Sequence, residues 1–356
     1  MDKKVNTVFQ IAAVFIGTIV GAGLASGKET SQFFTSYGYK SYIGIIACGI
    51  FYILICSLIS KISAAHNLNS YSDLMYTVSP NFFSKITGTL ITLYLISSSS
   101  IILAGSGALL NQFFGIPKIV GTLIMAAVAL ITLLRDTSGL IEINSVIVPS
   151  LLIVIFSIFT LYLLLDSKSM TLANIKLIPP LKPNGLTWST IIYIGFNITC
   201  CSGVIVPLST KIKDHKSMKY GIMLGAIGLT LLCIMINSML IVNQPHIFKC
   251  EIPLLYAADR FGKLIQAILL VIIWCEMFST EVSDVYSISR SLDTALHINY
   301  KKAIFLVILI DLPISQIGFS NLISTLYPIF GLLSLVFIVQ CIYYYFKHKK
   351  ELKISE

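Results

Sequence analysis

Charge is what this chain has least of. Asp, Glu, Lys and Arg make up 12% of its 356 residues, against roughly a quarter in a soluble domain. A chain this poor in charge cannot cover a water-facing surface, so a soluble globular fold is excluded. Histidine is scarce too. The five histidines are His66, His215, His246, His297 and His348, and all fall in connecting segments or the tail. With none in an apolar run, no His-rich metal cluster and no nucleophile–base pair is evident. The chain is therefore read as a non-enzyme that needs no cofactor. The eight cysteines show no zinc spacing. The adjacent Cys200 and Cys201 suit neither a tetrahedral metal site nor an ordinary disulfide. No cleavable leader is expected, because the first apolar run is too long and lacks a small-residue cleavage site.

What the chain does have is apolar length. Hydrophobic residues make up 56%, and the mean hydropathy is +0.87. A crossing of a ~30 Å hydrocarbon core takes about 20 apolar residues. Ten such spans are expected, at about 8–34, 42–64, 82–113, 117–134, 139–165, 187–210, 217–243, 262–290, 300–316 and 320–346. With both termini inside, sixteen of the 25 Lys and Arg residues fall on the inner side and eight on the outer. That bias supports cytoplasmic ends. The net charge of +9 is spread over many short loops, which argues against a nucleic-acid partner. The whole chain, 1–356, reads as one transmembrane domain. A short inner helix is expected within 61–81. An outer one is expected within 244–261, where Pro253 is placed for a first turn. The proline-rich linker from Ile178 to Gly185 divides the spans five and five.

Two interruptions stand out. In span one, Gly17, Gly21, Gly23 and Gly27 lie within Ile16–Lys28, and each glycine weakens a helix by roughly 1 kcal/mol relative to alanine. In span six, Gly195 to Pro207 replaces large aliphatics with small and polar residues around Asn197, Thr199, Cys200, Cys201, Ser202 and Gly203. Both spans come first in their group of five. An odd number of spans per half sets the halves in opposite orientations. Repeats at about 8–165 and 187–346 with matching breaks point to an inverted-repeat transporter and to its binding site. The competing reading is close helix packing, for which Gly17 with Gly21 and Gly23 with Gly27 have the right spacing.

The run from Ile16 to Glu29, followed by Gln32-Phe33-Phe34, resembles the signature of the YkvI-type bacterial membrane proteins, close to IGTxVGAGxASGxEIxQFF. Those are grouped with the amino acid–polyamine–cation superfamily. The resemblance implies an all-α membrane fold of ten helices in a LeuT-like five-plus-five inverted repeat, with helices 1 and 6 broken at mid-membrane. It also implies a bacterial cytoplasmic membrane location. By the superfamily's pattern, amides at Gly21, Ala22 and Gly23 would hold a substrate carboxylate, which accords with the anion affinity of helix N-termini. Thr199, Cys200, Cys201, Ser202 and Gly203, with Tyr94 of span three, would line the rest. A sodium ion would lie between Gly17, Val20, Ser279 and Thr280, with Ser283 as a rival ligand. In proton-coupled relatives a span-five lysine replaces the cation, and this span has none.

Acids within apolar runs are costly and usually face a cavity or a partner. Glu276 and Glu281 in span eight are candidates for a cation ligand or a proton carrier, and Asp284 is a weaker one. A structural hydrogen-bonding role competes for each. Glu29 is a candidate for coupling or gating. Lys28 reads either as a residue snorkelling to the interface or as an outer gate paired with Asp311. Family members often carry glutamine at the lysine position. The run Ser97 to Ser100 could face the substrate or bond its own helix. Glu142 and Asn144 lie near the inner start of span five. The expected function is secondary active transport, Na⁺- or H⁺-coupled symport of a small amino acid or related zwitterion by alternating access. The alternative is an amino acid sensor of the germination-receptor type without concentrative transport.

Overall fold

A computed structural model describes residues 3–79, 82–135, 140–212 and 214–349, without the side chains of 3, 82–92, 135, 140–146, 291 and 294–296. The described chain is helical. Its elements are α1 (Lys3–Ile19), α2 (Ala22–Ala25), α3 (Lys28–Phe33), α4 (Ser41–Ala65), α5 (Tyr71–Val78), α6 (Phe82–Phe114), α7 (Lys118–Arg135) and α8 (Leu140–Leu165). After these come α9 (Leu172–Leu177), α10 (Leu186–Lys211), α11 (His215–Val242), α12 (Pro253–Asp259), α13 (Lys263–Leu296), α14 (Tyr300–Ser315) and α15 (Phe319–Lys347). Each apolar span expected from the sequence falls on helix. Among the described residues, seven helices are long and apolar enough to cross a membrane, and Lys4–Ile19 and Lys118–Leu134 are shorter apolar helices. The expected inner helix is α5, whose N-cap Ser70 accepts from the Asp73 amide. The expected outer helix is α12, which begins at Pro253.

The helices are apolar all round, as lipid demands of a spanning segment. In α4, Ile45, Cys48, Tyr52, Ile55 and Ile59 are buried, while Ile43, Ile50 and Leu54 stay more than half exposed. The second set is the face left to hydrocarbon. Loop chemistry fixes the helix ends. Asp214 caps α11 by accepting from the Lys216 and Ser217 amides. Donation from the Ser217 hydroxyl, then its amide, holds that carboxyl below its ordinary range.

Packing sorts the helices into two groups. One contains α1, α4, α10 and α11, in which α1 and α4 each pack on both α10 and α11. The other contains α6, α7, α8, α13 and α14, and α15 bridges between α10 and α6. Small residues set the closest crossings. A Cβ on Gly221 of α11 would lie 2.5 Å from Ile11, and one on Gly225 would lie 2.9 Å from Phe15. The ridge of α1 therefore seats in a groove of α11.

The same effect corrects one expectation. Span six is not broken: α10 runs as one helix from Leu186 to Lys211. Gly195 is small because α15 crosses it. A Cβ there would lie 2.6 Å from the Gly331 carbonyl, and one on Gly331 would lie 2.6 Å from the Ile192 carbonyl. Two of the polar side chains bond their own helix. Asn197 Nδ2 donates to the Tyr193 carbonyl at 3.0 Å, and Ser202 Oγ to the Ile198 carbonyl at 2.6 Å.

Gly225→Leu should overpack the α1–α11 crossing and destabilise by about 1–3 kcal/mol. A thermal unfolding midpoint equal to wild type in detergent would refute that packing role. Gly203 meets nothing within 4 Å, so Gly203→Ala should keep the wild-type midpoint or raise it, adding up to about 1 kcal/mol of stability.

Candidate functional site

Span one is interrupted twice. The first interruption is at Gly21, whose backbone is extended (φ −96°, ψ −169°), and the second is at Gly27, with φ +78°. Gly27 needs that left-handed conformation and also its small size, since a Cβ would lie 3.2 Å from the Leu254 amide nitrogen. The two breaks isolate α2, a single turn. Its entry residue Gly21 supplies no side-chain cap. The first amides of a helix have no intrahelical acceptor. Among the described residues, no backbone carbonyl accepts from the amides of Ala22, Gly23 or Leu24. The exit from α2 is satisfied by α12: the Leu254 amide donates to the Ser26 carbonyl at 2.9 Å.

Between the breaks and α10 lies the main buried feature. The Glu29 carboxyl accepts from Tyr193 of α10 at 2.9 Å and from Tyr327 of α15 at 2.7 Å. It folds back beneath α2, and a Cβ on Gly23 would lie 2.0 Å from its Oε1. The glycine at 23 is thus explained by the acid six residues later. Glu29 is only 2% exposed.

Glu29 lines a cavity of about 70 Å³. That is several times the ~10–15 Å³ that one water requires. Gly21 and Ala22 form one wall, and Ser97, Ser98 and Thr280 supply hydroxyls. Tyr94, Phe196, Tyr327 and Phe330 form an aromatic side. Tyr94 meets Phe196 and Phe330 with ring centroids 5.7 and 5.4 Å away, and Phe196 stacks on Tyr327 at 3.8 Å. Asn197 and Cys200 complete the α10 side. Cys200 Sγ also donates to the Thr18 carbonyl at 3.4 Å, tying α10 to the first break. Among the described residues, the wall contains no lysine, arginine or histidine, and Glu29 is its one carboxyl.

The sequence candidates separate on this geometry. Gly21, Ala22, Tyr94, Cys200, Thr280 and Glu29 meet at the cavity. Gly23 stands behind it, against Glu29. Cys201 faces a small apolar pocket between α1, α10 and α11, and Thr199 faces Tyr71 of α5. Ser202 bonds its own helix. Gly17 packs on Val148 of α8, with Val20 and Ser279 buried in the chain's interior. Glu276 is buried away from the cavity wall, and Glu281 joins Ser99 and Asp311. The pairing of Lys28 with Asp311 does not occur. Lys28 Nζ donates to the Cys250 carbonyl at 3.0 Å, just ahead of α12, while Asp311 bonds serines of α6. The side chains of Glu142 and Asn144 lie outside the described residues. Sequence reading missed Phe196, Tyr327 and Phe330, which look like ordinary apolar-run aromatics until the helices are assembled.

The chain is 30% identical over 341 residues to an uncharacterized membrane protein of Bacillus subtilis (strain 168), YkvI, covering 95% of this chain and 96% of that one. The chain belongs to the YkvI family of membrane proteins. YyaD of the same organism is 24% identical over 93% of this chain and 95% of its own. No family model matches. Among solved structures, the inward-facing conformation of Mhp1 matches with a TM-score of 0.72 and 14% identity, over 95% of this chain and 76% of that one. Mhp1 in a closed conformation with bromovinylhydantoin bound, described as a nucleobase-cation-symport-1 family transporter, gives 0.64, with 15% identity over 93% and 77%. An Eremococcus coleocola manganese transporter gives 0.52, with 12% identity over 98% and 95%. This YkvI-family chain is thus a multi-pass membrane protein with a transporter fold.

Gly23→Ala should drive Glu29 from its two tyrosines and leave buried polar groups unpaired, at about 1–3 kcal/mol. A Cβ on Gly21 would meet nothing within 4 Å, so Gly21→Ala should unfold as wild type does. Equal unfolding midpoints for the two variants would refute the clamp.

Proposed function

We propose that this YkvI-family chain is a secondary active transporter with ten crossings in a five-plus-five inverted repeat, moving a small amino acid or related zwitterion by coupling to Na⁺ or H⁺. The observation that carries the reading is the cavity at the first helix break. It lies where the α1–α4–α10–α11 group meets α6 and α13. A site at such a boundary is exposed to either side when one group rocks against the other.

The chemistry of the wall supports a zwitterion. A carboxylate needs donors, and the amides of Ala22 and Gly23 have no backbone acceptor among the described residues. An ammonium group needs an anion, and Glu29 is the acid present. The aromatic side would hold a short apolar side chain, and the cavity volume favours a small solute. If the driving ion is Na⁺, carbonyls of Gly17 and Val20 with the hydroxyls of Ser279 and Thr280 are the proposed ligands, since hard cations take oxygen ligands.

Thermal-shift screening of purified protein against amino acids, in Na⁺ and in K⁺ buffers, should reveal a stabilising compound. Glu29→Gln should then weaken its binding roughly tenfold or more, as expected for loss of a charge-assisted hydrogen bond worth about 1.5–3 kcal/mol. Uptake of that compound into proteoliposomes is the deciding measurement. Stabilisation with no flux in any ion gradient would refute transport.

A further inference from the structure

Behind the cavity, α6, α13 and α14 bury a second set of acids. Ser99 Oγ lies 3.0 Å from Glu281 Oε1 and 2.7 Å from Asp311 Oδ2, and Ser100 Oγ lies 2.8 Å from Asp311 Oδ1. Glu281 and Asp311 are both fully buried. A serine hydroxyl has one hydrogen to donate and two lone pairs to accept with. It cannot donate to two carboxylates at once. With both acids ionised, one of the short contacts to Ser99 would set oxygen against oxygen with no proton between them.

Glu281 Oε2 is a second, independent sign. It is shielded from solvent and has no hydrogen-bond partner, a costly state for a bare carboxylate. The titratable groups that bear on Glu281 are Asp311 from α14 and Asp284 from its own helix, both acidic. The facing part of α6 contributes hydroxyls. Among the described residues, no three His, Cys, Asp or Glu side chains converge as a metal-binding group.

We propose that Glu281, Ser99 and Asp311 form a proton-binding site buried in the membrane, with the proton resident on Glu281. Glu281 Oε1–H donates to Ser99 Oγ, and Ser99 Oγ–H donates to Asp311 Oδ2, while Ser100 donates to Oδ1. Every short contact then has one hydrogen. A concerted shift of both hydrogens moves the negative charge from Asp311 to Glu281 without changing the number of protons, so the serine is a relay between two helices. Ser98, the residue before Ser99 on α6, lines the cavity, so the two sites are neighbours along that helix. Use of this proton to drive solute movement rests on the transporter reading, whereas its binding does not.

Infrared spectroscopy of the purified full-length protein tests this without any substrate. The carboxylic C=O stretching band of a protonated, buried acid should be present at neutral pH. Glu281→Gln, nearly isosteric, should remove it. Asp311→Asn, which leaves Glu281 and its contact to Ser99 in place, should keep it. Both variants should remain monodisperse on size exclusion. A band untouched by Glu281→Gln overturns the assignment. So does no band in wild type together with thermal stabilisation by Na⁺ over K⁺ that Glu281→Gln abolishes, since the two acids would then hold a metal cation. Loss of transport with the infrared result intact would sink the transporter reading alone.

Discussion

Taking a carboxylate out of water costs several kcal/mol unless donors or a positive charge replace the water it loses. This molecule buries its acids deep in apolar helices and gives them hydroxyls rather than cations. Glu29 receives two tyrosines from two different helices. To reach them it turns back beneath α2, which requires glycine at 23. One acid thereby ties the broken segment to both α10 and α15. Asp311 is treated the same way by two neighbouring serines.

The broken segment leaves polar backbone at membrane depth, and such backbone is tolerated only against protein or a cavity. Both occur here. The short helix α12 satisfies the exit of α2, while the entry of α2 lies beside the cavity. Glycines of α11 let α1 approach closely, and Gly195 with Gly331 do so for α10 and α15. The polar cavity lies at the boundary between the two groups.

Much of the architecture could be read from residue order. Apolar lengths placed the helices to within a few residues, and Pro253 marked the start of α12. The glycines of span one marked a real interruption, because Gly21 to Gly27 combine helix-weakening residues with an acid that needs room. The same reasoning failed at span six. The segment from Gly195 to Gly203 is also rich in small residues, but there Gly195 answers to a crossing helix, and Asn197 and Ser202 bond the preceding turn. A small residue that admits a ligand and one that admits another helix are identical in sequence. The aromatic wall was invisible for a related reason: Phe196, Tyr327 and Phe330 lie far from the first break in the chain, in runs where any large apolar residue would pass.

Composition and span length by themselves determined that the chain lives in a bilayer as a helical bundle, because a surface with so little charge has no other solvent. The signature around Gly21 determined the family. Tertiary structure alone decided which acid meets which donor. Glu29 lies 164 positions from Tyr193 and 298 from Tyr327, and Ser99 is separated by 182 from Glu281 and by 212 from Asp311. No local pattern encodes such contacts. They exist because hydrogen bonds reach only about 3 Å, and only the packed helices bring those side chains within that distance.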